Sequence, residues 1–410
     1  VAFSGGYDQT MPSAFILSAA RTPIGRYGGT LRRTHPAELG ARAVRAALDR
    51  ARVEPAEVHE VYIGHGRQAG SGPNPGRQVG RRAGLPDEVP AQTINQACAS
   101  GLSAVALGAQ AILAGQSQVV VAGGIESMSR MPYLVDSDDA RWGHKMGHFA
   151  FVDAMYRDGF FCPLANLVMG QTAEVVAREY GIGRDESDAF GALSQQRAER
   201  AIAAGRFVDE IAAAPGHDVK GRDIELEFDE HPRAGTTVES LRRLPPVFAP
   251  VDGHEGIITA GTSSGITDGG AAVVLASDAE VRRRGTPPLA RIVGWATAGV
   301  DPRRMGIGPV PAVRKLLAAT DLSLDDFDLV ELNEAFAPQV LACLRDLPID
   351  PDRLNVNGGA IALGHPIGAT GTRILVTLLY EMRRRGARRG LATLCVSGGL
   401  GMALAVERAS

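Results

Sequence analysis

Short runs of apolar and β-branched residues alternate along this chain with longer stretches whose apolar positions recur at helical spacing. Glu60-Val61-Tyr62-Ile63-Gly64 predicts a strand, the small apolar residues from about Ala99 to Ala114 a helix, and Val119-Val120-Val121-Ala122-Gly123-Gly124 a buried strand. The same order returns later. Asp328-Leu329-Val330-Glu331-Leu332 predicts a strand, about Ala369 to Arg384 a helix, and Thr393-Leu394-Cys395-Val396 a strand ending at Ser397-Gly398-Gly399. Met402-Ala403-Leu404-Ala405-Val406 then reads as a return strand, whose counterpart in the first half is Ala271-Ala272-Val273-Val274-Leu275. Strands alternating with helices predict an α/β fold with parallel strands and crossover helices, built as two similar halves. The first half is interrupted between Gly124 and Ala271 by well over a hundred residues, helical from about Asp185 to Gly205 but rich in irregular sequence. An insertion of that length predicts a lid, a substrate domain or an assembly arm.

Composition narrows the possibilities. A chain of 410 residues with 45% apolar content can bury a large core in two or three domains. A net charge of −3 with no basic stripe argues against a nucleic-acid partner; Arg383-Arg384-Arg385 instead complements a helix C-terminus. Only three lysines occur, so arginine carries most of the positive charge. Four widely spaced cysteines make neither a disulfide framework nor a zinc pattern, which fits a reducing, cytoplasmic location. His144 and His148 have a spacing that would put both on one helix face, but without a glutamate or a third ligand no metal site is expected. No apolar stretch approaches the ~20 residues of a membrane span. Met11 is a candidate initiator, and Val1 to Thr10 ahead of it read as neither signal nor transit peptide.

The chemistry concentrates at three junctions. Asn355-Val356-Asn357-Gly358-Gly359-Ala360-Ile361-Ala362-Leu363-Gly364-His365-Pro366-Ile367-Gly368 places a histidine in a glycine-lined bend before a helix. Cys395 ends an apolar run, and Cys98 sits in Asn95-Gln96-Ala97-Cys98-Ala99-Ser100-Gly101, also before a helix. Two cysteines and a histidine so placed suggest a thiol nucleophile with acid/base partners, its anion favoured by a helix N-terminus and an imidazole. The glycines near His365 match neither nucleotide-loop spacing, and no lysine follows them.

These segments resemble the thiolase family, acyl-CoA:acetyl-CoA acyltransferases, over nearly the whole chain. The resemblance implies a five-layered αβαβα fold of two similar βαβαβαββ domains with an inserted loop domain over the substrate tunnel. Residues 1–130, completed by 262–285, would form the first half, 131–261 the loop domain and 286–410 the second half. It also implies reversible thiolysis and Claisen condensation of 3-ketoacyl-CoA, with Cys98 as nucleophile and His365 as the base that takes its proton. Cys395 would be the acid/base toward the acetyl-CoA methyl group, and Asn333, in Asn333-Glu334-Ala335-Phe336, would help hold the enolate oxygen. The backbone N–H groups of Cys98 and Ser397 would form a second oxyanion site. Ser397 replaces the glycine common in the family's CxG pattern, which puts the local backbone geometry in question.

Arg233, Ser240, Ser264 and Gly265 match positions that contact CoA, while Phe248 and Phe336 would wall the tunnel. Met169 would lie near the acyl group, with Val168 where many short-chain members carry histidine. Cys162 and Cys343 are expected to be structural, Cys162 alternatively lining the acyl pocket. CoA and acyl-CoA are implied as substrates with no cofactor or metal, together with a homodimer or homotetramer held partly near Met128 to Asp139. Acetoacetyl-CoA is the expected substrate, with tolerance of longer chains. Acetoacetyl-CoA synthesis and fatty-acid β-oxidation both remain open as the pathway. Two alternatives remain at this stage: a catalytically silent CoA- or lipid-binding protein on the same fold, and a decarboxylating ketoacyl synthase. Cys395, where the latter would carry a second histidine, weighs against it.

Overall fold

A computed structural model describes residues 12–409; Val1 to Met11, including the candidate initiator, and Ser410 lie outside the described residues. In the first half, strands β1 (Ala14–Arg21), β2 (Glu60–His65), β3 (Ala91–Ile94), β4 (Val119–Ser127) and β5 (Thr267–Ser277) run in the spatial order β1-β5-β4-β2-β3. In the second half, β6 (Ala290–Gly299), β7 (Leu329–Leu332), β8 (Arg389–Val396) and β9 (Leu400–Glu407) run β6-β9-β8-β7. A parallel bridge from Val330 to Leu354 stands where the first half has β3.

The repeat read from the sequence is therefore present in the pairing itself. β4 is parallel to β2 and antiparallel to β5, just as β8 is parallel to β7 and antiparallel to β9. Ala271 to Leu275 and Met402 to Val406 are the two return strands. One feature had no sequence signal: Phe15 and Ile16 of β1 pair with Arg291 and Ala290 of β6, joining the two halves edge to edge.

Four helices complete the layers: α1 (Pro36–Ala51), α2 (Ser100–Leu113), α3 (Pro309–Thr320) and α4 (Ile367–Arg385). α1 covers the outer face of the first half, α3 that of the second, and α2 and α4 pack together between the sheets. β4 and β5 are buried at every position, which is why their centres read as apolar runs, whereas β6 alternates buried and part-exposed residues. The faces still separate with period two. Val119 and Val121 join the core under α1, while Val120 and Ala122 join the central core with Leu102, Val105, Ile374 and Leu378.

Small residues set how closely the central helices meet. A Cβ on Gly101 would lie 2.9 Å from the Gly368 carbonyl oxygen, and one on Gly371 only 2.5 Å from the Leu102 nitrogen. This approach brings the two helix starts together, and each carries a candidate residue just ahead of it. Gly371→Ala is accordingly expected to lower stability by about 1–3 kcal/mol, because backbone rather than a flexible side chain must give way. Chemical denaturation checks it; an unchanged midpoint would mean the two helices can separate freely.

Helix limits differ by one or two residues from the sequence expectation: Ser100–Leu113, Ile367–Arg385 and, in the inserted stretch, Arg184–Ala203. The expectation for His144 and His148 is corrected. The helix there, Ser137–Arg141, stops before them, and His144 Nε2 instead lies 3.0 Å from the Gly147 carbonyl. The glycines at 143 and 147, both at positive φ, break the helical spacing.

Candidate active site

Cys98 sits in a short 3-10 turn, Ala97–Ala99, that leads into α2. Ala97 is held at φ +45°, a left-handed conformation that costs a residue with a Cβ about 1–2 kcal/mol. Local side chains maintain it. Asn95 accepts from the Ala97 N–H (3.0 Å) and donates to the Gly66 carbonyl (3.1 Å), while Ser100 Oγ donates to the Ala97 carbonyl (2.7 Å) and accepts from the Gln96 N–H (2.9 Å). The turn thus fixes the sulfur at the start of a helix.

His365 is aimed by its own bend. Gly364, at φ +101°, passes so close to Thr267 that a Cβ would lie 2.4 Å from its methyl group, and the His365 N–H donates to the Gly265 carbonyl (3.0 Å). The ring's tautomer follows from its partner. Thr370 Oγ1 gives its one proton to the Pro366 carbonyl (3.0 Å), which can only accept, so at 2.7 Å it accepts from His365 Nδ1–H. Nε2 is then the unprotonated, accepting nitrogen, and it is buried with no protein partner.

Cys395 ends β8, and the turn after it places its left-handed residues at Gly398 (φ +88°) and Gly399 (φ +84°). Ser397 is thereby spared a strained backbone, and its N–H and that of Cys98 both favour the Cys98 anion. Serine in place of glycine is accommodated without a left-handed backbone at that position. The Cys98 and Cys395 thiols are near enough to influence each other's ionisation. Asn333 follows β7; its backbone N–H donates to Thr393 (3.0 Å), while both side-chain polar atoms are buried without a protein partner.

Electrostatics correct one expectation. Cys98 was expected to be favoured as a thiolate, but burial pushes its thiol up from the ordinary value, opposed by Arg67 and by the two N–H groups. Burial, then the charges of Arg373 and Arg67, pull His365 down to about 3. Burial also holds Cys395 well above the ordinary thiol range, with Cys98 and Cys343 adding to it. Burial therefore favours the neutral form of all three groups.

Apolar residues gather around Cys395. Phe336, Met169 and Phe248 pack with Met305 and Ile258 in one cluster with it, and the Phe248 and Phe336 rings meet edge to face at 6.0 Å. Phe248 lies over Gly170, where any Cβ would clash with the ring. Val168 pairs with Phe161 in a two-residue hairpin that also holds buried Cys162. Ser264 bonds through its N–H to Ala335, next to Phe336, and Gly265 carries the carbonyl that His365 uses.

Arg233 and Ser240 bond within their own segment. Arg233 N–H donates to Gln195 (2.9 Å), and exposed Ser240 closes a capping box with Thr237. Cys343 lies outside this group, its buried thiol donating to the Gly306 carbonyl and pushed up to about 12, mainly by burial.

Several supporting residues were missed from sequence. Glu334 is buried and accepts from Ser194 (2.6 Å), Asn355 (2.9 Å) and the Ile361 N–H (3.2 Å), tying the Asn333 loop to the His365 segment. Its place beside Asn333 was a usable signal. Glu126 and Arg67 gave none, because their partners are distant in sequence or backbone atoms; Thr370, five residues after His365 on the following helix, was a usable signal.

Comparison with known proteins agrees with this geometry. The model of the thiolase N-terminal domain matches residues 14–279, and that of the thiolase C-terminal domain residues 286–408. The acetyl-CoA acetyltransferase of Rhizobium meliloti (strain 1021) is 51% identical over 397 residues, covering 97% of this chain and 99% of that protein. That of Shinella zoogloeoides is 50% identical, covering 96% and 98%. Among solved structures, the acetyl-CoA acetyltransferase of Bacillus anthracis superposes with a TM-score of 0.93 at 43% identity, covering 98% of this chain and 100% of that one. Human mitochondrial 3-ketoacyl-CoA thiolase in complex with CoA gives 0.92 at 42%, covering 98% and 100%. Both family models together span nearly the whole chain, and relatives about half identical match it from end to end: the chain belongs to the thiolase family.

Proposed function

We propose that this chain is an acyl-CoA:acetyl-CoA C-acyltransferase that acts on acetoacetyl-CoA and tolerates somewhat longer 3-ketoacyl-CoAs. The observation that carries this is the contact between the Cys98 turn and the strand that bears Cys395, one from each half, together with buried polar atoms of His365 and Asn333 that have no protein partner. A buried polar atom without a partner is costly, so such atoms mark a place that a ligand completes.

In the first half-reaction the Cys98 proton passes to His365 Nε2 as the sulfur attacks the thioester carbonyl. The N–H groups of Cys98 and Ser397 hold the oxyanion. Collapse breaks the carbon–sulfur bond to CoA, whose thiolate takes the proton from His365. The nearby Arg67 and Arg373 disfavour a lasting imidazolium, which speeds that transfer. In thiolysis the Cys98 sulfur instead attacks the 3-keto carbon and gives its proton to His365; the C2–C3 bond breaks, and the departing acetyl-CoA enolate carbon takes a proton from Cys395. A second CoA, losing its thiol proton to Cys395, then takes the acyl group from Cys98, whose sulfur recovers its proton from His365. In condensation, Cys395 passes its own proton to His365 and as the thiolate removes a methyl proton from acetyl-CoA. Asn333 and His365 stabilise the enolate oxygen, and the enolate carbon takes the acyl group from Cys98, whose sulfur takes the proton from His365. No step in this scheme needs a cofactor beyond CoA.

Residues 131–261 cover the site in this reading, with 1–130 plus 262–285 and 286–410 as the catalytic halves; Arg233, Ser240, Ser264 and Gly265 contact CoA. The names of the relatives support the short-chain substrate. Val168 in place of histidine, with apolar Phe160, Phe161 and Leu164 in the same segment, favours longer chains, but a pocket gaining one methylene shifts preference by only ~1–3 kcal/mol. Relative kcat/KM for thiolysis from C4 to C12, followed by loss of the magnesium-enolate absorbance, tests it. Strong C4 turnover that declines with length is expected; negligible C4 beside strong C10 or C12 turnover would reverse the substrate assignment, and binding without turnover would favour a silent CoA-binding protein.

The same reading includes a homodimer or homotetramer. Tyr133, Trp142, Met146 and Phe151 are each more than 60% exposed, an apolar surface suited to burial against another copy. Light scattering at micromolar concentration is expected to give a dimer or tetramer, and a monomer would count against it. Among the described residues no helix is long and apolar enough to cross a membrane, and four free cysteines suit a cytoplasmic setting.

A further inference from the structure

Arg67 lies two residues beyond β2, with 8% of its surface exposed. Its Nη2 donates to the Gly159 carbonyl at 2.6 Å, Nη1 lies 3.5 Å from the Gly66 carbonyl, and Nε is buried without a protein partner. A Cβ on Gly159 would lie 3.1 Å from that Nε, so the turn Tyr156–Phe160 rests directly on the guanidinium. Phe160, the next residue, packs against the core cluster that contains Cys98.

The floor below is equally fixed. Glu126 accepts from the Arg67 N–H (3.3 Å) and from the Gly368 N–H at the start of α4 (2.9 Å), with His65 Nε2 at 3.1 Å from the same carboxylate. The Gly66 carbonyl is held by Asn95 of the Cys98 turn. Arg67 therefore connects three things: the turn that carries the nucleophile, the start of the helix after His365, and the covering segment. None of these contacts requires a permanent positive charge; a neutral donor would satisfy the Gly159 carbonyl. Burying a guanidinium here is costly unless its charge has a use.

We propose that Arg67 is a positioning residue for acyl transfer, its guanidinium holding the Gly159–Phe160 turn against the core that contains Cys98 and stabilising the sulfur as it becomes anionic. This rests on the reading of Cys98 as the acyl acceptor. Arg67 touches neither substrate nor the reacting bond in this assignment. It acts while the Cys98 proton passes to His365 and the new carbon–sulfur bond replaces the one to CoA. The charges that act on the Cys98 sulfur are Arg67, just beyond β2, and Glu126 of β4; Cys98 in turn acts on Cys395 of β8, Arg373 of α4 acts with Arg67 on His365, and His65 contacts Glu126. Arg67 is the leading charge that favours the Cys98 anion, while Glu126 opposes it. His365 stays neutral through the accessible range, so alkylation of Cys98 reports thiolate formation without interference from the ring.

The test is the pH dependence of Cys98 alkylation by iodoacetamide, read on its own peptide by mass spectrometry, beside kcat/KM for acetoacetyl-CoA thiolysis. Arg67→Met is expected to move the alkylation midpoint up by about one pH unit, slowing reaction about tenfold below it, as loss of a nearby opposite charge implies. Arg67→Lys keeps the charge and should restore the midpoint while kcat/KM still falls, because an ammonium does not reproduce the guanidinium fork that holds Gly159. If Arg67→Met does not fold, Arg67→Gln, which keeps a donor for Gly159 without the charge, carries the same expectation. A folded Met or Gln variant with an unmoved midpoint would overturn the proposal. A moved midpoint in a protein that turns over no 3-ketoacyl-CoA would uphold it while removing the thiolase reaction, so the two failures are distinguishable.

Discussion

Cys98→Ala is expected to form no acyl-enzyme and to lose thiolysis by about 10⁴-fold or more, the scale seen when a nucleophile is removed from a site whose groups act as a unit. Cys395→Ala should behave differently. Its sulfur stands beside Cys98 but ends the opposite half's strand, and its role begins only when acetyl-CoA must lose a methyl proton. That variant should still acquire an acetyl group from acetyl-CoA, slowly, and then fail to condense it. Stopped assays of acetyl transfer and of acetoacetyl-CoA formation separate the two steps. Equal loss of both steps in both variants would mean that the thiols do not divide the labour.

His365 carries the second large expectation. His365→Asn should lower kcat/KM by about 10²–10⁴-fold, the usual contribution of a positioned general base. The histidine also leaves a signature in stability. Its folded value of about 3 lies below the ordinary 6.5, so between these pH values the unfolded chain binds the extra proton. The wild-type protein should therefore lose stability as pH falls through 6.5 toward 3, this group contributing a slope of up to about 1.4 kcal/mol per pH unit. In His365→Asn the slope should be shallower by that amount. Denaturation midpoints from pH 6.5 down to 4.5 check it; the same slope in both proteins would mean that the imidazole is not buried neutral. For the same reason, wild-type kcat/KM should show no limb near pH 6.5 from this ring.

The fold was legible in sequence where strands are buried on both faces. Val119 to Ala122 and Leu391 to Val396 are apolar runs because helices cover both sides, and the return strands stood out by their position after paired glycines. The edge pairing of Phe15 and Ile16 with Ala290 and Arg291 was not legible, because two residue pairs leave no periodicity. His144 and His148 misled through spacing alone, since the glycines around them break the helix that the spacing requires.

The candidate site was legible as a set of junctions, each with a reactive residue ahead of a helix or a turn. Its electrostatics were not. A helix N-terminus and an imidazole do favour a thiolate, but burial outweighs them at Cys98, and burial is a property of the packed molecule. Glu126 and Arg67 escaped notice for a related reason: their use lies in contacts with the N–H of Gly368 and the carbonyl of Gly159, far along the chain.

The central claim is that Cys98 is the residue that carries the acyl group. Brief exposure of the intact wild-type protein to acetyl-CoA, acid quenching, and peptide mass spectrometry tests it most directly. The account predicts an acetyl adduct on the peptide containing Cys98, discharged by added CoA, with Cys395 unmodified. An adduct on Cys395 with Cys98 free would contradict it.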